Sequence, residues 1–507
     1  MPSYLLGLDV STTGSKALLI DEEGRVVQSA TNSHPLYTPR PAWSEQDPVD
    51  WWTASTASIR AVLEAAGVQP ADVVGIGLTG QMHGLVLLDQ AGEVLRPAIL
   101  WNDQRTAAQC ASITERVGPE RVLQITGNPV LPGFTAPKIV WVKENEPQVY
   151  ARVASFLLPK DYVRYRLTGA LVCDVSDASG TSVFDVGRRT WSDEILEALE
   201  IPRSWVPEVT ESPEVSARVS AEGARATGLL AGTPVVSGAG DNAAAAVGTG
   251  IIRSGIISAS LGTSGVVFAP LESYQPEPAG RLHAFCHAVP GQWHLMGVML
   301  SAAGSLRWYR DAITGENEES PSFDSLVDEA RSVPAGSEGL LFLPYLSGER
   351  TPHPDPDARG AFVGLSLRHG RGHLTRAVME GVVFGLKDSV ELMKPLGLSV
   401  GRVRIAGGGA RSTLWRQILA DVLDAELATT DATEGAAYGA ALLGGVGAGV
   451  FDSVEAASDR AVREVEHIHP GADVATYARF YERYRALYPA LANEFHAMAR
   501  LLDNQSS

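Results

Sequence analysis

The chain has 507 residues, of which 45% are hydrophobic and 20% charged, a composition that builds packed cores and excludes a disordered polymer. With 41 Lys and Arg against 59 Asp and Glu the net charge is −18, so neither nucleic acid nor an anionic membrane is an expected partner. Three scattered cysteines exclude a disulfide scaffold, and the length suffices for two or three domains.

No basic segment precedes the first apolar run, which Asp9 interrupts, so no signal peptide is expected and the cytoplasm is the expected compartment. Tyr4 to Val10 reads as a short buried strand, Ser11-Thr12-Thr13-Gly14-Ser15 as a turn, and Lys16 to Ile20 as the returning strand. Asp21-Glu-Glu-Gly24 turns again, and Val26-Val27 begins a third strand. Asp47-Pro48 gives helix-start signals, followed by apolar residues at helical spacing to about Ala66. Val73 to Leu78 and Leu85 to Leu88 are further buried strands.

The second half opens in a similar way. Val235 to Gly240 is a strand that runs into Asp241-Asn242 and an alanine-rich helix, Ala243 to Val247. Ile256 to Leu261, the turn Gly262-Thr263-Ser264-Gly265 and Val266 to Phe268 then repeat the opening strand–turn–strand half a chain later. The repeat predicts an internal duplication in which two α/β units set their turns on opposite walls of a cleft. Glu316 to Pro321 is a polar loop. Gly401 to Ala406 is a strand, Gly407-Gly408-Gly409-Ala410 a tight turn, and Ser412 to Leu423 an amphipathic helix. Thr433-Glu434 starts another helix; the uncharged run from Gly435 to Phe451 holds six glycines and falls short of the roughly 20 apolar residues that a membrane span needs. Tyr477, Phe480, Tyr481, Tyr484 and Leu487 mark a last amphipathic helix, expected on the second unit.

Some chemistry is excluded directly. There is no P-loop motif. Gly75-Ile-Gly77-Leu-Thr-Gly80 follows a strand, but it continues into Gln81-Met82-His83-Gly84 and another strand, not into the helix of a dinucleotide site. His283-Ala-Phe-Cys286-His287 reads as an apolar strand with a small core cysteine rather than as a metal site.

Each remaining motif carries a chemical reading beside a plainer one. The two turns expose backbone N–H groups and small side chains that can cradle a phosphate; Thr12, Thr13 and Thr263 add hydroxyls and Lys16 a mobile positive charge. Either turn alone also fits an ordinary hairpin. Asp9, beside the first turn, would repel phosphates unless a divalent cation lay between, or it stabilises a strand end. Asp241 can accept the proton of a phosphoryl-acceptor hydroxyl, or cap its alanine-rich helix. The Gly407–Ala410 turn offers a flat surface to an adenine ring, or simply joins strand to helix. His83 is a ligand contact or a structural histidine, and Trp101-Asn102-Asp103-Gln104-Arg105 suits a sugar or starts a surface helix.

The order of these motifs resembles the FGGY carbohydrate kinases. It runs from Leu6-Gly-Leu-Asp9-Val-Ser-Thr12-Thr13-Gly14-Ser-Lys16 through Gly77-Leu-Thr-Gly80-Gln-Met-His83-Gly and Trp101-Asn-Asp-Gln-Arg105 to Gly240-Asp241-Asn242. Segments similar to both family signatures are present, Gly133 to Asn145 and Gly360 to Glu380, and the resemblance covers nearly the whole chain. Gln81 to Gly84 and Trp101 to Arg105 look most like the members that phosphorylate xylulose. The resemblance implies an α/β, duplicated actin-like (ribonuclease-H-type) fold with two domains flanking a central cleft. Residues 1–244 would form a sugar-binding domain, 245–485 a nucleotide-binding domain, and 486–507 a C-terminal helix and tail. It further implies ATP and Mg²⁺ as cofactors and D-xylulose as acceptor. Asp241 becomes the general base, and Asp9 with Asp241 the metal carboxylates. Met82, His83, Trp101, Asp103 and Asn242 would surround the sugar. Thr12, Thr13, Gly14, Lys16, Gly262, Thr263, Gly408, Gly409 and Thr413 would hold the nucleotide, Thr413 standing where many members carry Asn. A homodimer is a family expectation. Another ketose, a pentitol or an aldonate is the competing acceptor, and a non-catalytic nucleotide or sugar sensor the competing class, against which Asp241 weighs.

Overall fold

A computed structural model of the protein describes residues 3–314, 320–431 and 434–506, the last four by backbone alone. Residues 316–319 of the expected polar loop, and Thr433 of the expected helix start, lie outside the described residues.

In the first lobe, β1 (Tyr4–Val10), β2 (Gly14–Asp21) and β3 (Val26–Ser33) form an antiparallel meander. Helix α1 (Pro48–Ala66) starts as its sequence dictates: Asp47 Oδ1 accepts the Val49 N–H, Pro48 fixes the first φ, and Trp51, Ile59 and Val62 face the sheet. Strand β4 (Val73–Gly80) then pairs parallel with β1. The glycine pattern Gly75–Gly77–Gly80 therefore lies inside a strand. A Cβ on Gly77 would stand 1.9 Å from the Ala440 carbonyl oxygen, so that glycine admits a crossing helix, not a dinucleotide. Helices α2 (Thr135–Asn145) and α3 (Pro159–Thr168) follow, then β5 (Val215–Arg218), β6 (Pro234–Val236), the two-residue β7 (Ala239–Gly240) and α4 (Asp241–Gly248). The sheet order is β5-β6-β4-β1-β2-β3, with β7 extending the pairing of β4.

The second lobe repeats this plan. It comprises β8 (Ile256–Leu261), β9 (Gly265–Leu271), β10 (His283–Cys286), β11 (Trp293–Met299), α5 (Arg371–Met393), β12 (Arg402–Ala406), α6 (Thr413–Leu423), β13 (Glu426–Thr430), α7 (Gly435–Gly447), β14 (Glu464–Ile468) and α8 (Val474–Ser506). The sheet order is β10-β11-β9-β8-β12-β13-β14. Without β10, order and strand sense match the first sheet throughout: a central parallel pair, β1/β4 or β8/β12, beside an antiparallel hairpin. The duplication read from the two turns is thus a duplication of whole sheets. The extra strand β10 abuts the first lobe, where Cys286 N–H donates to Ser179 Oγ and Asn128 Nδ2 to the Ala284 carbonyl.

The lobes are joined by crossed helices. α7 leaves the second sheet and packs beneath β1 and β4, whereas Ala246 of α4 packs with Ile251 and Phe268 of the second lobe. Where the helices meet, a Cβ on Gly439 would lie 1.8 Å from the Ala244 carbonyl oxygen, so the contact is backbone to backbone. α4 runs unbroken through position 244/245 and α8 through 485/486, so each of the two expected boundaries falls within a helix. Helix α8 docks by a row of tyrosines: Tyr477 Oη on Glu380, Tyr481 Oη on Asp388 and Tyr484 Oη beside Tyr345 Oη. Among the described residues no helix is long and apolar enough to cross a membrane.

Candidate active site

Sheet register brings the two expected carboxylates together. Asp9 pairs with Thr79 across β1/β4, and Thr79 with Ala239 across β4/β7, so the strand end that leads to Asp241 emerges level with Asp9, with β4 between them. Asp9 is half-buried, and its Oδ1 is buried with no hydrogen-bond partner. Burial first, then the neighbouring Asp241 charge, push its pKa up to about 7, with Lys16 opposing.

Asp241 is the first residue of α4, but it is not the cap: Gly240 occupies that position and makes no side-chain cap bond. One carboxylate oxygen, Oδ1, accepts the Asn242 backbone N–H at 2.7 Å and the Asn242 side-chain amide at 3.0 Å. Burial lifts its pKa to about 6, opposed by the Asn242 N–H. Asp241 is therefore mostly ionised at pH 7 and close to the point where it can hold a proton.

Met82 and His83 line the same region. Asn242 Nδ2 lies 4.0 Å from Met82 Sδ, and Met82 occupies the space that a Cβ on Gly240 would need. His83 takes the left-handed region, with φ of 71°. Its carbonyl accepts from Thr135 Oγ1 at 3.0 Å and Lys138 Nζ at 2.8 Å, which holds it there. Its ring stacks on Phe134 at 4.6 Å, and burial pushes its pKa down to about 3, so it is neutral. The Gly180 carbonyl 2.8 Å from Nδ1 fixes the proton there, leaving Nε2 as a hydrogen-bond acceptor. Phe134, Thr135 and Lys138 fall in the first signature segment, but nothing local in the sequence identified them as the mount of His83.

The first turn is rigid. Thr12 Oγ1 donates to Gln81 Oε1 at 3.2 Å and accepts from Trp101 Nε1 at 3.0 Å. Gln46 Nε2 donates to the Thr12 carbonyl, and Gln81 Nε2 donates to Gln46 Oε1. With its hydroxyl already donating to Gln81, Thr12 shapes the turn; Thr13 at the tip is exposed and Gly14 is buried behind it. Trp101, 45% exposed, stands against this turn.

Lys16, expected as a mobile charge, is ion-paired with Glu434, the residue ahead of α7. One expectation needs correction. Asp103 does not face a sugar: it is fully buried, accepting from the Ser44 N–H at 2.6 Å and paired with Arg105 at 2.7 Å. Arg105 in turn lies 3.6 Å over the Trp43 ring, so the Asp103–Arg105 pair supports the loop that carries Trp101.

In the second lobe, Gly262, Thr263, Gly408, Gly409 and Thr413 all line one cavity of about 800 Å³. The β8–β9 turn forms one wall, and its carbonyls are held by the Ala302, Ala303 and Gly304 N–H groups. The Gly408–Arg411 turn forms another. Gly407 has φ of 89°, and a Cβ there would meet the Leu261 backbone at 2.6 Å, whereas a Cβ on Gly408 would meet open space. Ser412 Oγ caps α6, and Thr413 Oγ1 accepts from Arg331 at 3.1 Å. Arg307, Arg331 and Arg411 line the cavity together with Asp324 and Asp328, charged groups that sequence reading missed; of them only Arg411 belongs to a turn.

Among the described residues no cluster of three or more His, Cys, Asp or Glu could hold a metal unaided. A hard cation that keeps its waters and takes phosphate oxygens needs only one or two carboxylates, and Asp9, with an orphaned oxygen beside Asp241, fits that demand. The His283–His287 segment is a core strand: His287 Nε2 donates to the Ile251 carbonyl at 2.9 Å, Nδ1 accepts from Val289, and Cys286 is buried.

Residues 4–248 match the N-terminal domain of the FGGY family of carbohydrate kinases, and 257–448 its C-terminal domain. The chain is 43% identical over 487 residues to a xylulose kinase of Escherichia coli, covering 96% of this chain and 99% of that one. A gluconokinase of Bacillus subtilis is 32% identical over 514 residues, covering 100% of this chain and 97% of the other. Among solved structures, a xylulose kinase from Rhodospirillum rubrum superposes with a TM-score of 0.90 at 33% identity, covering 97% of this chain and all of that one.

Proposed function

The chain belongs to the FGGY family of carbohydrate kinases, enzymes that transfer phosphate to an alcohol, and we propose that its reaction is ATP + D-xylulose → ADP + D-xylulose 5-phosphate. The supporting observation is Asp241: an ionisable carboxylate with one oxygen hydrogen-bonded to Asn242, whose amide faces Met82, and with the half-buried Asp9 as its neighbour.

In this reading the adenosine end of ATP lies in the cavity walled by Gly408, Gly409 and Thr413, and the phosphates reach toward the turns at Thr13 and Thr263. Asp9 and Asp241 are the protein carboxylates for Mg²⁺, which neutralises phosphate charge when bound. Asp241 orients the terminal hydroxyl and accepts its proton. The hydroxyl oxygen bonds to the γ-phosphorus as the bond to the bridging oxygen breaks, and ADP leaves with the electron pair. His83 Nε2 and Asn242 offer an acceptor and a donor to the remaining hydroxyls, while Phe134 backs the imidazole. Approach of the lobes about α4 and α7 would exclude water from this transfer.

Similarity to a gluconokinase supports one second reading, an aldonate acceptor at the same site. Initial rates of ADP release with D-xylulose, D-ribulose, xylitol and D-gluconate separate the two. The largest kcat/KM is expected with D-xylulose; a larger value with D-gluconate would replace it, and turnover independent of every acceptor would overturn the kinase chemistry.

A further inference from the structure

Beneath the strand tip that carries Asp241 lies a group of charged side chains removed from water. Lys160, Asp161, Arg164, Asp174 and Asp177 are all fully buried. Lys160 Nζ lies 2.5 Å from Asp161, 2.8 Å from Asp174 and 3.2 Å from Asp177, and Arg164 pairs with Asp161 at 3.0 Å. Such a cluster is expensive to desolvate, and replacing buried ion pairs by apolar residues is often neutral or stabilising. Its contacts show what it holds instead.

Arg164, and two serines whose hydroxyls bond Asp174, converge on the four residues before Asp241. Arg164 Nη1 donates to the Ser237 carbonyl at 2.6 Å, and the Gly238 N–H donates to the Ser212 carbonyl at 3.0 Å. The Gly240 N–H donates to Ser176 Oγ at 3.1 Å, and the Ser176 hydroxyl donates on to Asp174 Oδ2 at 2.5 Å, whose other oxygen faces Lys160. The peptide that leads into Asp241 is therefore tied to a buried ion pair through a single hydroxyl. The same short segment reaches the other substrate wall, because the Gly180 carbonyl holds His83 Nδ1.

We propose that Ser176, backed by Asp174 and Lys160, is the positioning residue of the general base: its hydroxyl fixes the Gly240 peptide and so aims Asp241 at the acceptor hydroxyl. Ser176 touches no substrate. The proposal rests on Asp241 being the base. Deleting the hydroxyl leaves the buried Gly240 N–H without a partner, which the strand tip relieves by shifting, and small misplacements of reacting groups cost orders of magnitude in rate.

Ser212 supplies an internal control. Its hydroxyl also donates to Asp174 Oδ2, at 3.1 Å, but makes no contact with Gly240. Steady-state kinetics on the full-length Ser176→Ala and Ser212→Ala variants, with thermal melts of both, test the proposal. Ser176→Ala should lose about 10-fold in kcat while KM for the nucleotide stays within about 2-fold, since the nucleotide cavity lies in the other lobe. Ser212→Ala should melt earlier, as Ser176→Ala does, yet keep kcat within about 2-fold of the parent. Unchanged kcat in Ser176→Ala, or equal loss in both variants, would reduce the cluster to a fold-stabilising role. Full turnover in Asp241→Asn would instead remove the base reading itself, a result that neither serine variant can produce.

Discussion

Acidification gives Asp241 a distinctive kinetic signature. With a pKa of about 6 in place of the usual value near 4, it is roughly nine-tenths ionised at pH 7, half ionised at pH 6 and one-tenth ionised at pH 5. If its carboxylate takes the acceptor proton, its titration alone lowers kcat/KM for the acceptor about 10-fold from pH 7 to pH 5, and protonation of Asp9, with a pKa of about 7, steepens the fall beyond unit slope. A carboxylate at the ordinary pKa would lose only about a tenth of its activity by pH 5. Acid unfolding does not mimic the effect. Asp9 and Asp241 both have folded pKa values raised above the unfolded ones, so the native state binds more protons between about pH 4 and 7. Their contribution to stability is present at low pH and is lost as pH rises through 6 and 7. Activity should therefore fall over a range in which these two groups make the fold more stable. Initial rates from coupled ADP detection with acceptor and MgATP both well below saturation, so that the profile reports ionisations of the free enzyme, pH 5 to 8, with a melting curve at each pH, supply the measurement. Asp241→Asn should lose about 10²- to 10⁴-fold in kcat and keep only the single limb of Asp9, moved below 7 by loss of the Asp241 charge. A parent profile flat to pH 5, or an Asp241→Asn profile as steep as the parent's, would refute the assignment.

Other consequences are local. Gly408→Val adds a side chain at a position open on the cavity side; KM for the nucleotide should rise about 10-fold or more while the melting temperature stays within about 2 °C, and unaltered KM would move the nucleotide elsewhere. Gly439→Ala forces a methyl against the Ala244 carbonyl where α4 crosses α7; urea unfolding should show a loss of about 2–3 kcal/mol, and a neutral result would contradict the backbone-to-backbone contact. Tyr481→Phe removes the hydroxyl that donates to Asp388 at 2.6 Å, beside a carboxyl that burial has already pushed up to about 7. The cost should be about 1–3 kcal/mol and should grow from pH 5 to pH 8 as the unpaired carboxyl is asked to ionise; a pH-independent cost would contradict it.

Much of this was legible because the fold repeats simple local rules. The turns at Thr12–Gly14 and Gly262–Ser264 follow buried strands of the same length class, and both head a hairpin beside a parallel strand. Asp47-Pro48 started α1 where a cap and a proline predict it. The five second-lobe residues expected at the nucleotide come from turns 140 and more residues apart, yet line one cavity, because β8 and β12 are parallel neighbours. Local reading failed where charge found a distant partner. Nothing near Lys16 announces Glu434, 418 residues on, and the buried Asp103 is explained by Arg105, Ser44 and the Trp43 ring together. The Gly75–Gly80 pattern has a packing meaning visible only once α7 lies on β4. Likewise Ser176 is an unremarkable serine until Gly240 and Asp174 stand on either side of it.

The most direct trial follows the phosphorus itself. Purified protein incubated with Mg²⁺, ATP and D-xylulose, monitored by ³¹P NMR, should consume the γ-phosphate signal and yield a sugar phosphomonoester coupled to the C5 methylene protons, in step with ADP. Asp241→Ala should bind nucleotide but form no ester. Release of inorganic phosphate in place of the ester, or ester formation undiminished in Asp241→Ala, would contradict the account.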